Sequence, residues 1–169
     1  IMGMNTDTYK RTHRPNMMNE EKSGKPHQGV YIPKNPGKVV GGEVIYRSAW
    51  EMAFARWCDD NPAVIEWGCE TASIQYRNPA AVDLDACRKY NVSPLDPMNW
   101  PIHNYYPDFY LPEYNVYLDP KNDYLINNKS KRFGITDVEK IEKVEQQNGI
   151  RIVILDKDNL TWEKIKEKL

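Results

Sequence analysis

Residues 104–122 read NYYPDFYLPEYNVYLDPKN and place Asp108, Asp119 and Lys121 within one short, aromatic, extended stretch. If 105–111 and 115–119 are neighbouring strands joined by the turn PEYN, pairing brings Asp108 and Asp119 to one edge of a sheet. Lys121, two residues past Asp119, then stays on the same side. Two carboxylates a few ångströms apart repel unless a cation lies between them, and a hard divalent ion such as Mg²⁺ takes oxygen ligands of this kind. A lysine beside such an ion can hold or deprotonate an attacking water and stabilise charge developing on a phosphate. These residue types together suit phosphodiester hydrolysis. Each acid alone has a plainer reading, Asp108 as a turn cap and Asp119-Pro120 as a strand end.

The elements that must position these groups follow from periodicity. YRSAWEMAFARWCDD, from Tyr46 to Asp60, puts Tyr46, Trp50, Ala53, Phe54 and Trp57 on one helical stripe, and Asn61-Pro62 ends it. AVIEWGCETASIQYR alternates as one or two strands, with Ile74 and Tyr76 on one face. Residues 77–103 carry four prolines and read as a long excursion with a short helix at Val82 to Tyr90; loops of that length are often functional. Thr136 with Glu139 forms a capping box for a second helix that Gly149 closes. IRIVIL reads as an interior strand, and NLTWEKIKEKL as a last helix with Leu160, Trp162, Ile165 and Leu169 inward. The order helix, strands, helix, strand, helix predicts an α/β (α+β) domain with a mixed central sheet flanked by helices.

Bulk properties set the class. The chain has 169 residues, 40% hydrophobic and 28% charged, with a net charge of -1, which fits one globular domain. No apolar run reaches the roughly 20 residues that span a bilayer, so no membrane partner is expected and a soluble intracellular protein is. Cys58, Cys69 and Cys87 are odd in number and lack CxxC spacing, which points to buried free thiols. Residues 1–40 hold seven Lys/Arg against three acids and form a basic, extended arm; the domain proper is assigned to 41–169. In the arm Lys10, Arg11 and Arg14 are candidate phosphate contacts, as are Lys129, Lys131 and Arg132 in the polar loop NNKSKRFG. The tyrosines could stack on bases, although half-buried strand positions account for most of them.

Pro107-Asp108 with Asp119-Pro120-Lys121 resembles the PD-(D/E)xK nuclease signature, whose restriction-endonuclease-like core has the element order just inferred. YRSAWE, preceded by YIPKNPGK and followed by NPAVIEW, is similar to phage-encoded members, the head-completion nucleases and free-standing homing endonucleases. The resemblance covers about residues 29–160. It implies that Glu51, Asp108 and Asp119 hold Mg²⁺ or Mn²⁺, that Lys121 is the catalytic lysine, and that double-stranded DNA is the substrate. Arg47 joins the candidate DNA contacts, and Glu70 and His103 are further candidates at the site. The family form is more often Glu-x-Lys followed by Pro. Aligning Pro120 on that proline would put Tyr117 and Asp119 at the Glu and Lys positions, a degenerate site. The implied function is a metal-dependent endonuclease in the cytoplasm of a phage's host, or in the virion; a monomer with one site would nick, and a homodimer could cut both strands. Two alternatives are a non-catalytic DNA-binding or virion-assembly protein on this fold, and a repair or junction-resolving nuclease.

Overall fold

Alternating apolar positions in short strands build the sheet that carries the site. The computed structural model describes residues 28–121, 126–130, 134–156, 158–159 and 161–169. In chain order the strands and α-helices are β1 (Gly29–Tyr31), β2 (Val39–Val40), β3 (Val44–Tyr46), α1 (Ala49–Asp60), β4 (Trp67–Cys69), β5 (Ile74–Arg77), α2 (Leu84–Tyr90), β6 (Ile102–Tyr105), β7 (Phe109–Leu111), β8 (Val116–Pro120), α3 (Asp137–Asn148), β9 (Ile152–Leu155) and α4 (Trp162–Lys168). A five-stranded mixed sheet runs β2-β4-β7-β8-β9, with β7 antiparallel to β4 and β8, and the outer pairs β2·β4 and β8·β9 parallel. β1 pairs with β3 and β5 with β6 in two further two-stranded sheets. No helix among the described residues is long and apolar enough to cross a membrane.

Period two divides the sheet between two apolar clusters. Phe109, Leu111, Val116, Leu118, Val153 and Leu155 belong to one, together with Phe54 and Cys58 of α1 and Ile165 of α4. Tyr117 and Ile152 belong to the other, with Ile141 and Val144 of α3 and with Ile74, Tyr76 and Tyr105 of the β5–β6 ribbon. The side chains at 108, 110, 117, 119 and 121 therefore share the face toward α3 and the ribbon.

Several expectations are corrected. IRIVIL is not interior: β9 ends the sheet, and its apolar character is explained by helices on both faces. Tyr46 lies in β3, and the helix starts only after Ser48. Consequently Phe54, Ala55, Cys58 and Asp59 are the buried residues of α1, while Ala53 is exposed and Trp57 turns to Trp162, 5.5 Å between ring centroids. Among the described residues the first strand, β1, lies within the segment assigned to the arm. The excursion closes on itself, because β6 returns to pair with β5 in the register Ile74↔Tyr105 to Arg77↔Ile102. Its short helix, α2, is capped by Asp83. The three cysteines are buried thiols outside any disulfide. Lys10, Arg11, Arg14, Lys131, Arg132 and Leu160 lie outside the described residues.

Candidate functional site

The β7–β8 register, Phe109↔Leu118 through Leu111↔Val116, continues by one step to set Asp108 opposite Asp119. Asp108 stands just before β7 rather than inside a strand; its backbone N–H donates to Asp119 Oδ1 at 2.8 Å. Lys121 N–H donates to Leu155 O at 2.8 Å, so the β8–β9 pairing reaches one residue past Pro120 and holds Lys121 in line. Its ammonium is 3.7 Å from Asp119 Oδ2 and 3.9 Å from Asp108 Oδ2. In the alternative alignment Tyr117 would occupy an acid's position, but Tyr117 stacks on Tyr110, 4.8 Å between centroids, within the apolar layer.

The two acids differ in environment. Asp119 is fully buried, whereas the Asp108 side chain keeps 20% of its surface. Burial, then the charge of Asp119 and more weakly that of Glu51, push the Asp108 carboxyl well above the usual range, against the pull of Lys121. For Lys121 burial disfavours the charged form, but the negative charges of Asp119 and Asp108 outweigh it and raise its affinity for the proton. Lys121 is therefore an ammonium at neutral pH. Beside the two acids it can neutralise and orient.

The other carboxylates are engaged differently from what the resemblance implies. Glu51 is the third residue of α1 and caps it: Ser48 Oγ donates to Oε1 at 3.1 Å and Arg47 N–H to Oε2 at 2.8 Å. Glu51 N–H donates back to Ser48 Oγ at 3.1 Å. The spacing Ser48-x-x-Glu51 is itself a capping-box signal, the one cue in the sequence to this role. Glu70 is buried and forms an ion pair with Arg47. It takes a left-handed φ of 50° at the end of β4, where the chain leaves the sheet for the ribbon, and its N–H donates to Asp108 O at 3.0 Å. A non-glycine residue in that conformation costs on the order of 1 kcal/mol and is found most often at functional sites. Arg47 is thus the counter-ion of a buried acid. His103 lies opposite Tyr76 in the ribbon and meets its ring edge-on at 5.8 Å. Tyr105, two residues further and expected only as a strand tyrosine, is the one that reaches the site: its hydroxyl donates to Asp119 Oδ2. Lys129 is exposed and precedes Ser130, whose N–H donates to Ile135 O at 2.9 Å and whose carbonyl accepts from Gly134 N–H at 2.8 Å.

YIPKNPGK has a structural task. Lys38 Nζ donates to the carbonyls of Cys58, Asp59 and Asn61 at 2.8, 3.0 and 2.8 Å, closing the C-terminus of α1. Asp59 accepts from Tyr31 OH at 2.8 Å, Lys34 N–H at 2.7 Å and Asn35 N–H at 3.0 Å. These bonds fix the helix that carries Glu51 without approaching the acids themselves.

Asp108 and Asp119 form an all-oxygen, hard donor pair on one face, with the Lys121 ammonium beside both. That pair fits a hydrated Mg²⁺ or Mn²⁺, which keeps several waters when bound through one or two carboxylates. Among the described residues no group of three or more His, Cys, Asp or Glu is arranged to hold a metal, in keeping with Glu51 and Glu70 being tied to Ser48 and Arg47.

Comparison with known proteins gives a partial match. The Head completion nuclease of Enterobacteria phage T4 is 46% identical over 52 residues, covering 30% of this chain and 35% of that protein. The chain thus spans about a third of the length of the curated relative it matches. No protein-family model matches, and no solved structure matches.

Proposed function

We propose that the chain is a metal-dependent DNA endonuclease of phage type on a restriction-endonuclease-like core. The observation that carries the reading is the cross-strand pair Asp108 and Asp119 with the Lys121 ammonium within 4 Å of both. The order α1, β4, β7, β8, α3, β9 and the partial likeness to a head completion nuclease support it.

Asp108 and Asp119 would hold a divalent cation, which when bound would supply charge neutralisation for the scissile phosphate. In hydrolysis a bond forms between water oxygen and phosphorus while the bond to one ester oxygen breaks, and that oxygen leaves with a proton. Lys121, being charged, steadies the negative charge building on the phosphate oxygens. Asp108 must lose its proton to act as a ligand, so cleavage should rise with pH through its raised value. Lys129, with Lys131 and Arg132 beside it in sequence, would receive the DNA backbone.

A plasmid-nicking assay in Mg²⁺ or Mn²⁺, run beside a gel shift, tests this. Asp108→Ala should abolish cleavage and leave DNA binding largely intact; equal activity in variant and parent would overturn the site. The rival is a DNA-binding or virion-assembly protein without turnover. It is favoured by the engagement of the Glu51 carboxylate with Ser48 and of the Glu70 carboxylate with Arg47, and a parent inert with both metals on every DNA form would establish it.

A further inference from the structure

We propose that Tyr105 is a positioning residue for Asp119: its hydroxyl, presented by the β5–β6 ribbon, sets the orientation in which that carboxylate meets a divalent cation. The inference rests on the nuclease reading above and assigns work to the excursion between β5 and β6.

Asp119 has no contact with solvent, so its oxygens are served only by protein groups or by what enters the site. Oδ1 accepts from Asp108 N–H at 2.8 Å and Oδ2 accepts from Tyr105 OH. Each carboxylate oxygen has room for about two partners. With one place on each oxygen taken by a fixed donor, the carboxylate plane is locked and one place per oxygen remains. Lys121 Nζ, 3.7 Å from Oδ2, marks the side on which a cation would be met. A backbone donor alone would let the group rotate about the Oδ1 bond. The tyrosine removes that freedom.

The phenol is itself held. Tyr105 is 4% exposed, its ring packs with Ile74, Tyr76 and Ile141, and its backbone pairs with Ile74. The ribbon is clamped to α3 by Arg77 N–H to Gln147 Oε1 at 2.7 Å, Gln147 Nε2 to Arg77 O at 2.9 Å and Asn148 Nδ2 to Gln75 O at 2.9 Å. Residues 78–101 are the connection that returns the chain so that β6 can present Tyr105 from a layer outside the main sheet. The plainer account is a buried tyrosine satisfying its hydroxyl on the nearest acceptor. The two differ in whether the metal notices the hydroxyl.

The experiment is Mn²⁺ titration by calorimetry on the parent, Tyr105→Phe and Tyr76→Phe, with thermal melts of each and nicking rates against Mn²⁺ concentration. Partners outside the ligand shell typically change metal affinity by about 10–100-fold. Tyr105→Phe should weaken Mn²⁺ binding by that factor, move the Mn²⁺ concentration for half-maximal nicking by the same factor, and recover most of the parental rate at saturation. Tyr76→Phe, an equally buried phenol of the same layer, should bind Mn²⁺ as the parent does. A parent that binds Mn²⁺ and a Tyr105→Phe variant that binds it within twofold would overturn the role of Tyr105 alone. A parent that neither binds Mn²⁺ nor cleaves DNA would overturn the nuclease reading, and this proposal with it.

Discussion

Replacing Lys121 by Met keeps most of the length of the side chain and removes the cation beside the acids. At 3.7 Å from Asp119 and an effective dielectric near 20, the missing attraction is about 4 kcal/mol. Burying the ammonium opposes part of that, so the expected destabilisation is about 3 kcal/mol, the lower end of what removing one partner of a buried pair costs. The effect should depend on pH. Lys121 holds the Asp108 carboxyl down, so its removal raises the folded value further above the ordinary value of about 3.9. A carboxyl raised on folding binds more protons in the native state, and stability then falls as pH rises above the unfolded value and on through the folded one. Urea unfolding of parent and Lys121→Met should therefore differ least near the ordinary carboxyl value and separate further as pH increases. Mn²⁺ at a hundredfold excess over its Kd should return about 2.7 kcal/mol to the variant. Under those conditions the variant is folded but should nick plasmid about 10²-fold more slowly, as removal of a positioned electrostatic group typically does. A gap between the unfolding curves that is equal across the pH range, or a parental rate at saturating Mn²⁺, would refute the assignment of the lysine to this pair.

Arg47→Ala should cost about 3 kcal/mol or more in a thermal melt, because it leaves Glu70 buried without its counter-ion; a stable variant with a flattened salt dependence of DNA binding would instead make Arg47 a phosphate contact. Burial works to raise the Asp59 carboxyl, but hydrogen bonds from Tyr31, Lys34 and Asn35 overcome it and hold the group below its ordinary value, while burial and Asp59 push the Tyr31 phenol up to about 12. The stability Asp59 contributes is therefore present above about pH 4 and lost as pH falls through the folded value; Asp59→Asn should cost about 2 kcal/mol at neutral pH and flatten the acid limb of the unfolding profile. Neutralising Lys129, Lys131 and Arg132 together, or Lys10, Arg11 and Arg14 together, should reduce the salt slope of DNA binding by roughly one for each phosphate that is no longer neutralised, and an unchanged slope would show the group to be solvated only. Leu95 and Met98, 83% and 70% exposed in the excursion, should tolerate Ser with a change within about 0.5 kcal/mol in a denaturant melt.

What could be seen in the sequence is what two strands and one turn decide between themselves. Strand alternation and the PEYN turn are local, and they suffice to set Asp108 against Asp119 and to keep Lys121 on their face. The Thr136 capping box with its Gly149 stop, and the pairing of Ile74 with Tyr76 on one face, are local in the same sense. What escaped depends on residues far apart along the chain. Glu70 looks like a surface acid until Arg47, 23 residues earlier, is brought to it. Tyr105 looks like any strand tyrosine until the ribbon places it over Asp119. β9 looks interior because apolar character reports burial and does not distinguish a neighbouring strand from a covering helix. Motif matching inherits the same division. Of the residues that carried the resemblance, Asp108, Asp119 and Lys121 meet at one place, whereas Lys34, Asn35 and Lys38 hold the far end of α1 and Glu51 holds its near end. A helix bonded at both termini cannot swing its Glu51 toward the acids without breaking its own cap. For Glu51 to reach the cation its carboxylate must give up the bonds from Ser48 Oγ and Arg47 N–H, so Ser48→Ala, which removes one of them, should tighten Mn²⁺ binding in calorimetry if Glu51 is a ligand and leave it unchanged if Glu51 only caps the helix.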